Sequence, residues 1–174
     1  MGLLENEQIR LRALEPEDLE VLYRWENDST LWEVGNTLAP YSRFVLKEYI
    51  ASSHQSIHES HQVRLLIESC AEGEAIGLVD LFDFDPRHNR AACGILLDPA
   101  RQGKGLATEA MRLMMGYAFS FLKLHALYVH VPVANEPSKR LFTRCGFKEV
   151  GILKDWIMTR NGYSDVWIMQ VLAD

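Results

Sequence analysis

Ala91-Ala92-Cys93-Gly94-Ile95-Leu96-Leu97-Asp98-Pro99-Ala100-Arg101-Gln102-Gly103-Lys104-Gly105-Leu106-Ala107-Thr108 passes from an apolar strand, through a polar turn with two glycines, into the most regular helical stretch of the chain. Residues 91–97 read as a buried strand. From 105 to 122, Leu106, Ala110, Leu113, Met114, Tyr117, Ala118 and Phe121 fall on one stripe at helical spacing. A helix that begins directly after such a turn offers backbone N–H groups with no acceptor inside the helix, backed by the positive end of its dipole. The turn therefore predicts an anion-binding site. Glycine at 103 and 105 lets a phosphate approach the main chain, and Ala107 keeps the first helical turn uncluttered. A dinucleotide fingerprint would need glycine or alanine where Thr108 stands, and a Walker loop needs serine or threonine where Gly105 follows Lys104. Neither motif fits.

Downstream, residues 126–131 form an apolar strand, 137–144 a short helix stopped by Gly146, and 147–159 with 163–172 a hairpin about Arg160-Asn161-Gly162. Upstream, residues 62–68 alternate with period two, Ala71-Glu72-Gly73-Glu74 makes a turn, and 75–84 and 91–97 are two more strands of an antiparallel meander. Residues 9–13 form a short strand. Glu15-Pro16-Glu17-Asp18 opens a helix that runs to about residue 27, with proline early and acids in the first turn. Residues 28–40 are a mixed loop of the kind that lines substrate sites or serves as a plain connector, and 42–60 read as one polar-faced helix. The order is β, α, α, β, β, β, α, β, α, β, β. It predicts a mixed α/β fold with a central, largely antiparallel sheet flanked by helices.

At 174 residues the chain is expected to be a single domain, 1–174, large enough to bury a core. A net charge of −6 argues against a nucleic-acid backbone as partner and favours a cationic or neutral substrate. The longest apolar runs fall far short of a membrane span, and the N-terminus lacks the basic and apolar regions of a secretory signal, so a cytoplasmic protein is expected. Cys70, Cys93 and Cys145 are widely spaced and odd in number, which fits reduced thiols better than disulfides or a metal site.

Gln102-x-x-Gly105-x-Ala107 and, some 30 residues on, Asn135-x-x-Ser138-x-x-Leu141-Phe142-x-x-x-Gly146-Phe147 resemble the two cofactor segments of the GNAT superfamily of N-acetyltransferases. The resemblance covers most of the chain from Ile9 onward, including Ile9-Arg10-Leu11-Arg12 and Asn161-Gly162-Tyr163-Ser164-Asp165. It implies acetyl-coenzyme A as cosubstrate, with no metal, held by Gln102, Gly103, Lys104, Gly105, Leu106, Ala107 and Thr108 at the pyrophosphate. Asn135 and Ser138 would lie along the pantetheine arm, and Ile95, Leu96 and Leu97 would supply backbone groups to the arm and the reacting carbonyl. Gly77-Leu78-Val79-Asp80-Leu81, Arg90-Ala91, Pro40-Tyr41 and the turn itself are similar to bacterial spermidine and diamine N-acetyltransferases, which implies acetylation of a primary amine on a small cation such as a polyamine. Asn135-Glu136-Pro137-Ser138 resembles acetyltransferases of ribosomal-protein N-termini equally well, and a non-catalytic acyl-coenzyme A binding module is the third alternative. A homo-oligomer is allowed but not specified.

The third alternative has a specific motive. Members of the family use a tyrosine as proton donor where this chain has Phe142, polyamine-acetylating members carry a glutamate where it has Ala92, and acids precede Pro-Tyr where it has Leu38-Ala39. An alkyl amine is almost entirely protonated near pH 7, a penalty of about 4 kcal/mol that a base or a dry pocket must offset. Asp80 shares parity with Ile76, Leu78, Phe82 and Phe84, so a carboxylate on an apolar face is either the group that binds or deprotonates the amine or a member of a structural ion pair. Tyr128 is the candidate donor, and Tyr41 and Asp83 are candidate substrate contacts. His130 is expected to be a hydrogen-bonded core residue, and Cys145 has no role in a direct transfer.

Overall fold

A computed structural model describes residues 2–32 and 37–174. Its elements are β1 (Ile9–Arg12), α1 (Leu19–Glu26, preceded by a 3-10 turn), α2 (Arg43–Ser52), α3 (Ile57–Ser60), β2 (Val63–Ser69), β3 (Ala75–Asp85), β4 (Arg90–Leu97), α4 (Leu106–Gly116), β5 (Ala126–Pro132), α5 (Glu136–Arg144), β6 (Lys148–Thr159) and β7 (Gly162–Leu172). The strands form one sheet in the order β1-β2-β3-β4-β5-β7-β6, antiparallel everywhere except between β4 and β5. Among the described residues no helix is long and apolar enough to cross a membrane.

Each face of the sheet has its own core. α4 and α5 lay Ala110, Met111, Met114 and Phe142 on the face carrying Val79, Leu81, Cys93, Leu127, Val129 and Val131. α1 and α2 lay Leu22, Trp25, Leu46 and Ile50 on the opposite face of β2 and β3, against Leu66 and Leu78. On that second face the β5 half of the sheet carries Tyr128 and His130 instead, and His130 is exposed.

Three expectations are corrected. The single helix over 42–60 is two helices, because the polar run 53–56 turns the chain out of α2 and Ser56 begins a new helix through a capping box with Glu59 (Ser56 N to Glu59 Oε2, 2.9 Å). The helix over 105–122 is α-helical only to Gly116 and closes in a π turn, with Leu122 N donating to Tyr117 O at 3.0 Å. On β3, one-residue bulges break the expected parity. The pairing slips where Ile67↔Gly77 gives way to Glu68↔Ala75, and again between Phe82 and Asp85 with Asp83 at φ 49°. Ile76 and Phe84 consequently sit in the α4 core, and only Leu78, Asp80 and Phe82 share the other face.

The start of the chain is fastened by charge. Arg12 donates to both Asp18 oxygens (2.8 and 2.9 Å) and to Glu68, joining β1, the entry to α1 and β2. Asp18 and Glu68 are buried. Burial pushes the Asp18 carboxyl up, but the Arg12 hydrogen bonds outweigh it and hold the group below its ordinary range. The same balance, with Arg12 and Arg10 as donors, lowers Glu68. Both therefore stabilise the fold above the unfolded carboxylate range near pH 4, and that contribution is lost as pH falls through the lowered folded values. Arg12→Met strips buried Asp18 of its guanidinium and leaves buried Glu68 with Arg10 alone, and should cost about 3–5 kcal/mol in urea denaturation at pH 7, the difference from the parent narrowing below about pH 4. Equal stability at pH 7 would contradict this role.

Candidate active site

β4 and β5 pair at only three registers, Arg90↔Ala126, Ala91↔Leu127 and Ala92↔Tyr128. Beyond these the strands part. β4 continues to Leu97 bonded to β3 alone (Leu97↔Gly77), and β5 continues to Pro132 bonded to β7 alone. The β5-facing edge of Ile95, Leu96 and Leu97 thus has main-chain groups without a strand partner among the described residues. β3 and β4 stay close because a side chain at Gly77 would collide with the Leu96 carbonyl oxygen.

Since β4 and β5 are parallel, the helices that follow them start at the same edge of the sheet, one at each tip of the wedge. α4 starts through the turn of residues 98–105. Asp98 caps its 3-10 piece by accepting from Ala100 N (3.1 Å), and Gly103 and Gly105 take the left-handed φ values 76° and 79°. These φ values are the reason for glycine, since nothing lies within 4 Å of a Cβ added at either position. Among the described residues the amides of Gly103, Lys104, Gly105, Leu106, Ala107 and Thr108 have no acceptor, whereas Glu109 N already bonds Gly105 O at 3.2 Å. Six successive donors at a helix N-terminus form a cradle for a phosphate group, with the exposed Lys104 beside it. The Gln102 side chain instead donates to Leu97 O (3.1 Å), closing the turn onto β4, and Arg101 reaches back to Glu72 and Glu74.

α5 starts at Asn135, whose Oδ1 accepts from Ser138 N at 3.2 Å. That bond uses the side-chain oxygen as a cap and leaves the amide nitrogen as a donor at the wedge. Phe142 is 2% exposed and packs edge-on against Phe147 (5.1 Å), so it is a core residue of the α5 face. Cys93 and Cys145 lie in the same core, and burial pushes both thiols up, which keeps them protonated and poor nucleophiles.

On the opposite face one row crosses the sheet: Phe82, Ala92, Tyr128 and Gln170. The Phe82 ring leans over Gly94, 3.5 Å from where a Cβ there would lie. Burial, and next the charge of Asp83, pushes the Tyr128 phenol up, so it is a proton donor and not a base. Asp83 is exposed on its bulge beside Tyr128. Asp80, one pleat along, is a member of an ion pair. Arg64 grips it with two bonds (2.7 and 2.9 Å) and also holds Glu26. Arg64 is the residue that alternation does not reveal: a plain count outward from the turn at 71–74 sets Leu65 opposite Asp80, and the register shift at Ile67/Glu68 is part of what brings Arg64 there instead. Tyr41 stands at the entry to α2. Asn27 fixes its backbone through bonds of 2.8 and 3.0 Å, and it is among the charged and phenolic neighbours of Tyr49 together with Arg64, Asp80 and Glu26. Residues 33–36 of the expected substrate loop lie outside the described residues.

Residues 8–148 match the family described as acetyltransferase (GNAT) domain. The chain is 34% identical over 167 residues to spermidine N(1)-acetyltransferase of Vibrio cholerae, covering 96% of this chain and 94% of that protein. It also superposes on the crystal structure of spermidine N-acetyltransferase from Vibrio cholerae in complex with CoA and spermine, with a TM-score of 0.85, 33% identity and 96% coverage of each chain. A dodecameric structure of spermidine N-acetyltransferase from Vibrio cholerae superposes at TM-score 0.78 with 33% identity, covering 96% of this chain and 95% of that one.

The Arg64 grip makes a direct prediction for Asp80. Asp80→Asn removes the charge that balances a largely enclosed guanidinium and should lower stability by about 1–3 kcal/mol in chemical denaturation. Unchanged stability with a large fall in turnover would show instead that Asp80 serves the acceptor.

Proposed function

The chain belongs to the GNAT acetyltransferase family, and from that premise we propose that it transfers the acetyl group of acetyl-coenzyme A to a primary amine of a small polycation such as spermidine. Residues 1–174 act as one catalytic unit, and the reaction takes place in the cytoplasm. The observation that carries it is the wedge between β4 and β5, open at the edge where both α4 and α5 begin. The unsatisfied amides from Gly103 to Thr108 fit a pyrophosphate, while Ile95, Leu96, Leu97 and Asn135 fit the amide-bearing arm that follows it. Gln102 acts here through its turn geometry and Ser138 through its place at the start of α5. Acetyl-coenzyme A supplies an acyl carbon and a thiol leaving group. The protein's part is to align that carbon with an amine, polarise its oxygen with fixed dipoles and exclude water.

Acceptor recognition is assigned to the face opposite α4, with Tyr128 and Asp83 nearest the point where the strands part and Tyr41 at the entry to α2. Tyr128 is suited to protonate the departing thiolate because its phenol stays protonated. The aromatic row of Phe82 and Tyr128 suits an alkylammonium through its ring faces. Exposed Val150, Trp156 and Met158 on the outer strand β6, together with the dodecameric relative, support a homo-oligomer.

Thiol release from acetyl-coenzyme A, assayed with spermidine, short diamines, amino sugars and N-terminal peptides, tests the proposal. Release is expected with the polyamines. Release with peptides alone would favour a protein N-terminal acetyltransferase, and coenzyme A binding without release for any amine would favour a binding module. Gly105→Val should weaken coenzyme A binding at least tenfold, about 1.4 kcal/mol by calorimetry, by straining the left-handed turn and narrowing the cradle. Parent-like affinity in a folded variant would refute the cradle.

A further inference from the structure

The acceptor amine must lose a proton before it attacks, and neither the position of the family's tyrosine donor nor that of the glutamate carried by polyamine-acetylating members has a titratable group here: Phe142 and Ala92 are buried and apolar. Near the parting of the strands the remaining candidates are few. Cys93 and Cys145 are protonated and on the wrong face. Asp80 is committed to Arg64, and Tyr128 is a donor. Asp83 sits on the β3 bulge, where β4 and β5 are still paired.

His130 is placed differently. It lies two residues past Tyr128, the last β5 residue bonded to β4, so it stands on the freed length of β5 at the open margin of the wedge. Its side chain shares the face of Tyr128, with the rings edge-on at 5.8 Å, and the Trp156 ring of β6 is 6.5 Å from it. His130 is exposed and no core residue, contrary to expectation. Among the described residues neither of its ring nitrogens is hydrogen-bonded, whereas His54 and His61 are each held by a backbone carbonyl (2.8 and 2.9 Å). An imidazole with both nitrogens available to accept a proton and pass it on, beside two rings that can face an alkylammonium, is placed to meet an incoming amine.

We propose that His130 is the base that takes the first proton from the acceptor ammonium. This deepens, and rests on, the acetyltransferase reading. The imidazole accepts one proton from R–NH3+ and passes it to water. The amine lone pair then forms the C–N bond, and the C–S bond breaks with its electron pair leaving on sulfur. The nitrogen loses a second proton and the thiolate gains one, so the sum is amide, thiol and one proton released.

The test is thiol release by the parent, His130→Ala and His130→Gln with two kinds of acceptor: spermidine, and a weakly basic primary amine already neutral at the assay pH. Expected for spermidine is a fall in kcat of about 100-fold in both variants, with coenzyme A affinity within twofold of the parent. For the weakly basic amine the loss should shrink to less than about tenfold, and added imidazole should restore part of the His130→Ala rate. Turnover within threefold of the parent would overturn the proposal, as would an equal loss for both amines with no imidazole rescue. Should His130→Ala misfold, His130→Gln carries the same comparison. A parent that releases no thiol with any amine overturns the acetyltransferase reading and the role of His130 with it, whereas an active parent with indifferent variants overturns His130 alone.

Discussion

Three registers of parallel pairing between β4 and β5, and no more, set the rest of the molecule. Pairing at Arg90, Ala91 and Ala92 keeps the sheet continuous, and its loss beyond Ala92 frees one edge of a buried strand without exposing the whole core. Unpaired main-chain groups inside a protein carry a cost unless something bonds them, so a wedge of this kind is a site for an amide-bearing ligand. The parallel sense has a second consequence. Both following helices must begin at the open end, bringing two positive dipole ends and the run of free amides from Gly103 to Thr108 to one place. A molecule with anionic phosphates at one end and an amide chain leading from them matches this arrangement without any charged side chain being essential to it.

The other face of the sheet is organised by arginines. Arg12 and Arg64 each hold two carboxylates, Asp18 with Glu68 and Asp80 with Glu26, so much of the acidic character near α1 is internally balanced. What remains toward the parting of the strands is aromatic: Phe82, Tyr128, His130 and Trp156, with Asp83 at the edge. A wall of ring faces attracts an alkylammonium with a smaller desolvation penalty than a buried carboxylate would incur, and it leaves proton transfer to an exposed imidazole.

How much was legible in the sequence follows from the range of each interaction. The turn from Asp98 to Thr108 is local: proline, two glycines and an apolar helical stripe define it within a dozen residues, and β4, α4 and the wedge follow from their order. The split between α2 and α3 is also local, since Ser56-Ile57-His58-Glu59 is a capping box, but the polar run 53–56 before it reads equally as the solvent face of one continuous helix. The face of Asp80 was read correctly relative to Leu78 and Phe82, yet the two bulges of β3 are tertiary and cannot be counted from alternation, and Arg64 is reached only through the register of the hairpin. His130 was misjudged for a similar reason. Its strand is apolar and central in sequence, while its exposure depends on α1 and α2 covering β2 and β3 and stopping short of β5.

The central claim is that the wedge and its two helix starts form one coenzyme A site. Hydrogen–deuterium exchange with and without coenzyme A tests it most directly, because the donors in question are the exchanging amides. Binding should slow exchange at Gly103 through Thr108 and along Ile95 to Leu97, while leaving the β6–β7 hairpin near its free rate. Protection elsewhere, with those amides unchanged at saturating coenzyme A, would contradict the account.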